Sequence, residues 1–352
     1  MPKYIPDYKS VHPKFKLNGF QLSANDLYSD ASSFIKEGAD FEKDVGVFML
    51  DWFDATTFVE MKTSGSTGKP KTIRVSKQAM IQSALATGAF FNLEPGNTIL
   101  NCLPLKYVAG KMMVVRAFVL GLELDLIAPR SNPLEHIKKT YDFIALVPLQ
   151  VQNSLDYLHN FKTVIIGGAK VSSDLEQKLK AINSDVFETF GMTETITHIA
   201  ARKIGEKAFT ALPNVVISTN TNRCLLIDAP NISDQVIHTN DLVELVYENQ
   251  FIFLGRFDNI INSGGVKLIP EQIEEKLRPF INRRFFVYGK SNELLGQQVV
   301  LVVEGEVMPI EFDEIKNLNK IEHPKEIVFI PQFKETPNGK VIRKETVLGL
   351  SF

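Results

Sequence analysis

Residues 63–71 read Thr-Ser-Gly-Ser-Thr-Gly-Lys-Pro-Lys. The hydroxyls of Thr63, Ser64, Ser66 and Thr67, set around Gly65 and Gly68 and followed by Lys69 and Lys71, make a strip of N–H, O–H and ammonium donors. Such a strip suits phosphate oxygens, because glycine lets the backbone approach an anion and each donor points its hydrogen outward. It is not a Walker A loop. That loop needs glycine five residues before the Gly-Lys pair and Ser or Thr after it, where this chain has Thr63 and Pro70. Taken alone, a solvated Gly/Ser turn is the less favoured reading of the segment. A second residue with chemical meaning is Arg116, alone in the apolar stretch Met-Met-Val-Val-Arg-Ala-Phe-Val-Leu-Gly. A buried cation needs a counter-charge. Either a carboxylate on a bound molecule or an internal Asp or Glu supplies it, and the residues alone leave both open.

The chain around these residues is 352 long, 44% apolar and 23% charged, a composition that folds. That length suits two domains. A net charge of -2 gives no overall pull toward nucleic acid or an anionic membrane, so an anionic ligand has to be held by local groups. Cys102 and Cys224 are far apart and lack metal or disulfide spacing, which reads as two reduced thiols. The first residues have no apolar stretch like a signal peptide, and no later run reaches the ~18 residues that span a bilayer. A cytoplasmic protein is expected.

From about residue 98, short β-rich runs alternate with helical ones, which predicts a layered α/β fold. The run Thr-Val-Ile-Ile-Gly-Gly (residues 163–168) ends a strand on glycines, where another molecule can approach the backbone. Ser173 with Glu176 three residues later reads as the capping box of the next helix. Past Asp241 a strand, a turn at Asn249-Gln250 and a second strand are expected. The polar, glycine-containing stretch that follows puts a domain boundary near Asp258, with a large domain over 1–256 and a small α+β lid over 257–352. The lid should hold a helix started by Pro270 and strands at 284–289, 298–304 and 326–330.

Four further segments fall in the order and spacing of one known family. Phe190-Gly191-Met192-Thr193-Glu194, Thr239-Asn240-Asp241, Gly255-Arg256-Phe257-Asp258 running through Gly264-Gly265 to Glu274, and Pro337-Asn338-Gly339-Lys340 with Arg343 join the loop at Thr63. Together they resemble the signature motifs of the adenylate-forming superfamily of acyl- and aryl-CoA ligases, luciferases and peptide-synthetase adenylation domains. The match spans 63–343. Departures are Asn240 where the family has glycine, Phe190 where it usually has tyrosine and Lys267 where many members carry arginine.

The resemblance implies a site for ATP, Mg²⁺, an acid and coenzyme A. Thr63, Ser64, Gly65, Ser66, Thr67, Gly68 and Lys71 would hold phosphates. Phe190 with Gly191 would cover adenine, with Gly168 and Ala169 as the opposite wall. Thr193 would bond the α-phosphate, Glu194 the magnesium, and Asp241 both ribose hydroxyls. Arg256 and Lys267 would add basic contacts. Lys340 would neutralise charge building on the α-phosphate as the acid attacks. Asp258 would be the pivot of a hinge that replaces the Lys340 segment with the Gly264-Gly265 turn on the coenzyme A side. The phosphate loop starts earlier than is usual, which implies a front trimmed relative to the family. In that respect, and in Leu103-Pro104-Leu105-Lys106-Tyr107-Val108-Ala109-Gly110, the chain resembles the bacterial o-succinylbenzoate-CoA ligases of menaquinone synthesis. That branch implies an acid site at Tyr107, Gly110, Lys111, Arg116 and His198.

Overall fold

The computed structural model describes residues 6–62, 72–310, 312, 315–335 and 341–348. Two compact units emerge, one of 72–216 with 228–237 and the segment before 63, the other of 217–227 and the chain from 238 onward.

In the first unit, strands β1 (Lys16–Leu17) and β2 (Phe20–Gln21) precede helices α1 (Ala24–Glu37) and α2 (Asp40–Phe53). Ser23 caps α1 in a reciprocal box with Asp26. Next come the hairpin strands β3 (Phe58–Lys62) and β4 (Thr72–Ser76), paired from Phe58 with Ser76 to Lys62 with Thr72. Both ends of the 63–71 segment are therefore fixed by a ladder, while the segment itself lies outside the described residues. Helix α3 (Lys77–Phe91), capped by Ser76, leads into β5 (Thr98–Asn101), α4 (Val108–Leu120), β6 (Glu123–Leu126), β7 (Tyr141–Leu146), α5 (Pro148–Asn153), β8 (Phe161–Ile166), α6 (Ser173–Leu179), β9 (Asp185–Gly191), β10 (His198–Lys203) and β11 (Phe209–Ala211).

The strands run β11-β10-β9-β8-β7-β5-β6-β1-β2 across the sheet. Strands β6, β5, β7, β8 and β9 are parallel. Parallel strands need crossovers, which cover both faces, so their side chains are apolar in both directions. Ile99 and Phe143 face one core with Trp52 and Phe118, whereas Leu100, Ile144 and Ile166 face another with Leu158 and Leu175. In such a sheet, ligands gather beyond the carboxyl ends of the strands. Here the loops after β5, β8 and β9 carry three of the predicted segments, and the register of β7, β8 and β9 (Leu146 with Ile166, Ile166 with Glu188) brings the latter two loops out at one edge.

The expected α/β layering is present. The cap of α6 is Ser172, not Ser173: its hydroxyl accepts from Leu175 N. With the cap at Ser172 the third helical position is Leu175, so Glu176 falls outside the box, and its carboxylate pairs with Arg202 Nη2 at 2.9 Å.

The second unit has strands β12 (Val216–Thr219), β13 (Cys224–Asp228), β14 (Ile237–Tyr247) and β15 (Gln250–Arg256) side by side. Tyr247 pairs with Gln250, so the tight turn is Glu248-Asn249, one residue before the expected place. Beyond it lie β16 (Ile261–Ser263), β17 (Val266–Leu268), α7 (Pro270–Leu277), β18 (Phe285–Asn292), β19 (Gly296–Glu304), β20 (Glu326–Ile330) and α8 (Arg343–Val347). Helix α7 starts at Pro270, whose missing N–H costs nothing in the first turn. Its Ile273 and Leu277 pack on Val287, Val299 and Leu301. The packing boundary near 216 and 238 differs from the expected pivot at Asp258; one concerns contacts, the other a movement. No helix among the described residues is long and apolar enough to cross a membrane.

Candidate active site

In the first unit, the nucleotide segments sit where the chain must bend sharply. Gly168 has φ +86°, a left-handed conformation that side chains resist, and it starts the exposed turn with Ala169 after β8. Glu188 fixes the far end of that turn, accepting from Val171 N at 2.8 Å. It is in turn held by Arg202 Nε at 2.7 Å. Phe190 closes β9 half-buried, with Phe209 packed edge-on at 5.8 Å. Gly191 admits no side chain, because a Cβ there would collide with Thr197 O and the His198 Cα. Thr193, half-buried, and Glu194, exposed, then occupy one short 3₁₀ turn, Thr193–Thr195.

That turn is anchored by Thr195, which is fully buried. Its hydroxyl accepts from Met192 N at 2.9 Å and faces the carbonyls of Met192 and Thr197. The next residue, Ile196, has φ +65° and ψ -60°, with Thr197 N bonded to Thr195 O at 2.7 Å. This is a γ-turn of the rare, strained hand, centred on a β-branched residue. Strain of about 1–3 kcal/mol persists only where the surroundings over-determine the geometry.

Beyond the γ-turn lies the acid-side cluster. Arg116 of α4 is 2% exposed. Its Nη2 donates to Thr197 Oγ1 at 3.3 Å and its Nη1 lies 3.7 Å from Met113 Sδ. Its Nε is buried with no hydrogen-bond partner, and no carboxylate pairs with it among the described residues. Burial pulls its pKa down to about 9. Among the described residues, the internal Asp or Glu left open by the sequence is not found. His198 is buried beside it, with Nδ1 3.1 Å from Thr197 Oγ1 and Nε2 3.3 Å from Thr87 Oγ1. Burial, then the Arg116 charge, push this imidazole well below its ordinary value, so it is neutral at pH 7.

The other expected acid contacts divide. Gly110 is pinned against the Leu103 and Pro104 carbonyls, which a Cβ would meet at 2.7 and 2.5 Å, and so draws the segment 103–106 onto the start of α4. Tyr107 caps α4 half-exposed. Lys111 departs from the group: its ammonium lies 4.6 Å from the Phe48 ring centroid of α2. Burial lowers its pKa, with Asp51 and Asp44 opposing. Five residues along a helix turn Lys111 and Arg116 about 140° apart. The structure therefore does not bring Lys111 to the Arg116 side.

The second unit carries the residues that the family resemblance assigns to ribose. Asp241, buried in β14, accepts from Arg256 Nη1 at 3.0 Å across the β14–β15 pair, and its N–H is held by Thr239 Oγ1 at 3.0 Å. Arg256 also reaches both carboxylate oxygens of Asp258, at 3.2 and 3.3 Å. One cation thus serves two carboxylates. Gly264 (φ +56°) and Gly265 (φ +82°) form the two-residue turn between β16 and β17, the backbone that turn requires. Lys267 is exposed on β17. Glu274 and Arg343, from separate predicted segments, meet at 2.8 Å. Burial raises the Glu274 pKa, and Val287 N adds a third donor to it. Thr63, Ser64, Gly65, Ser66, Thr67, Gly68, Lys71 and Lys340 lie outside the described residues.

Residues 52–230 match the family described as AMP-binding enzyme. The chain belongs to that family. A solved acyl-CoA synthetase (AMP-forming)/AMP-acid ligase II-like protein from Dyadobacter fermentans is 32% identical, with TM-score 0.63 over 92% of this chain and 98% of that one. A 2-succinylbenzoate–CoA ligase of Haemophilus influenzae is 28% identical over 75% of this chain and 62% of that enzyme, so this AMP-binding chain spans less than two thirds of that relative's length. The fold also matches O-succinylbenzoate coenzyme A synthetase (MenE) from Bacillus subtilis, solved with ATP and magnesium, with TM-score 0.71 and 19% identity over 82% and 69% of the two chains.

Sequence reasoning missed Thr87, Thr195, Ile196, Thr197 and the Glu188–Arg202–Glu176 network. Threonines and an isoleucine give no local signal of a γ-turn or of a bond across 111 residues. The ion network had one readable hint, since Glu188 and Arg202 lie in strands that a β-rich pattern already marks.

Proposed function

We propose that this AMP-binding enzyme activates a carboxylic acid with ATP as an acyl-adenylate and passes the acyl group to coenzyme A. The acid we propose is a dicarboxylate of the o-succinylbenzoate kind, which would place the reaction in menaquinone biosynthesis. One observation carries the substrate reading: a buried arginine, Arg116, whose Nε has no partner and which no described carboxylate neutralises. Leaving such a charge unpaired costs several kcal/mol, so its retention makes sense where a ligand supplies the counter-charge. A neutral His198 beside it leaves that charge undiluted and adds no second cation for a monocarboxylate to meet.

In the first step an oxygen of the acid attacks the α-phosphorus of ATP and the bond to pyrophosphate breaks; in the second a thiolate attacks the acyl carbon and AMP leaves. Thr193 bonds the α-phosphate and Phe190, with Gly191, packs on adenine opposite Gly168 and Ala169. Asp241 accepts from the ribose hydroxyls, oriented by Arg256 and Thr239. Lys340 supplies positive charge at the α-phosphorus. Rotation about Asp258 exchanges it for the Gly264-Gly265 turn when the thiol must enter. Glu194 suits magnesium: it is an exposed carboxylate on a tight turn, and among the described residues no group of three acidic, His or Cys side chains forms a protein cage. A metal arriving with phosphates and water needs only one or two carboxylates, and when bound it neutralises phosphate charge. ATP and coenzyme A are cytoplasmic metabolites, so the reaction is placed there.

The test is acid-dependent exchange of labelled pyrophosphate into ATP with o-succinylbenzoate, benzoate and a fatty acid. Exchange strongest with the dicarboxylate is expected. Preference for either monocarboxylate would remove the o-succinylbenzoate reading, and product analysis with coenzyme A or a carrier protein would identify the acceptor.

A further inference from the structure

The acid-side cluster contains a directed chain of hydrogen bonds whose polarity is fixed at one end. A guanidinium only donates, so Arg116 Nη2 gives a proton to Thr197 Oγ1 at 3.3 Å and Thr197 is an acceptor there. The single proton of Thr197 then needs an acceptor, and His198 Nδ1 lies 3.1 Å away. At the other side of the ring, Thr87 Oγ1 bonds the Ser83 carbonyl at 3.0 Å, which a carbonyl can only accept. The proton of Thr87 is thereby engaged, and its oxygen is left to accept from His198 Nε2 at 3.3 Å. The order is Arg116 to Thr197 to His198 Nδ1, then His198 Nε2 to Thr87 to Ser83 O. In the opposite tautomer Nδ1–H and Arg116 would both point at the half-buried Thr197 hydroxyl, and its proton would lose this acceptor, the less favourable state.

We propose that Thr197 is a positioning residue for Arg116: its hydroxyl, oriented by the Nε2–H tautomer of His198, holds one guanidinium nitrogen and so fixes the orientation in which this buried guanidinium meets the second carboxylate of the acid. The γ-turn at Ile196 is what delivers the hydroxyl. Thr195 is bonded to Met192 on one side and His198 enters β10 on the other, so the chain reverses at Ile196, and in this conformation Thr197 Oγ1 meets Arg116 of α4. The inference rests on the dicarboxylate reading for its effect on catalysis, but its structural half stands apart from any substrate.

The experiment has two arms on the full chain. Nitrogen NMR of the ligand-free protein, with His198 identified among the six histidines by the signals lost in His198→Gln, reads the tautomer. Nδ1 is expected as the lone-pair nitrogen and Nε2 as the protonated one at pH 7. A protonated Nδ1 overturns the chain of bonds whatever the enzyme acts on. The kinetic arm compares Thr197→Val and Thr197→Ser. Loss of a hydrogen bond to a charged group predicts a roughly tenfold or greater rise in KM for the dicarboxylate with Thr197→Val, little change in KM for ATP, and recovery with Thr197→Ser. In an Arg116→Met background, Thr197→Val should add almost nothing. Equal losses with a monocarboxylate, or no recovery by serine, would show a merely structural threonine. If no acid supports exchange in the parent protein, the function reading fails while the tautomer result remains.

Discussion

The two units hold their arginines in opposite ways. Arg116 is buried, its pKa lowered by burial, and among the described residues its hydrogen-bond partners are a hydroxyl and a thioether sulfur. Arg256 is half-exposed and gripped by Asp241 and Asp258; burial works against its charge, but the two carboxylates outweigh that and raise its pKa. The first is a cation awaiting a counter-charge, the second one already satisfied. On the proposed function, a ligand carboxylate at the first site would gain what the fold leaves unpaired. At the second, Asp258 would still balance Arg256 if Asp241 bonded ribose.

The most severe break would come at Lys340. Lys340→Ala should lower adenylation roughly a hundred- to thousandfold while thioester formation from supplied acyl-adenylate persists; equal loss in both half-reactions would end the two-step exchange at the hinge. Next, Arg116→Met should cut kcat/KM for the dicarboxylate by about a hundredfold yet raise thermal stability by about 1–3 kcal/mol, because a buried unpaired charge is replaced by packing volume. Loss of stability there would mean that Arg116 has a structural counter-charge. A smaller effect is expected at Asp241→Asn, where an about tenfold rise in KM for ATP without change in KM for the acid would assign the second unit to the nucleotide.

The finest distinction is in pH. His198 has its folded pKa depressed by burial and Arg116, so the unfolded chain binds the extra proton first and stability falls as pH drops below 6.5. The slope approaches about 1.4 kcal/mol per pH unit at most, and His198→Gln should remove it in urea titrations between pH 6.5 and 5. Asp258 behaves otherwise. Burial alone would raise it, but the hydrogen bond and charge of Arg256 hold it below the usual carboxylate range. Its contribution is present above about pH 4 and lost as pH falls further. A common acid transition for both regions would erase the contrast.

Periodicity was a reliable guide where a residue's role is local. Strand β8 read from its Thr-Val-Ile-Ile run and α7 from its initiating proline. Local reading failed where a one-residue register or a distant partner decides. The cap falls on Ser172 and leaves Glu176 to Arg202. Lys111, which the family resemblance grouped with Arg116 in the acid site, lies against Phe48.

The sequence by itself determined the family, the order of its polar segments and the alternation that builds a parallel sheet, since these follow from residue type and spacing along the chain. Only the tertiary structure decided that no described carboxylate lies beside Arg116, that His198 is neutral, and that Ile196 takes a conformation its side chain resists. The physical reason is the same each time: burial and pairing depend on which distant residues fill the surrounding volume, and no local pattern encodes that.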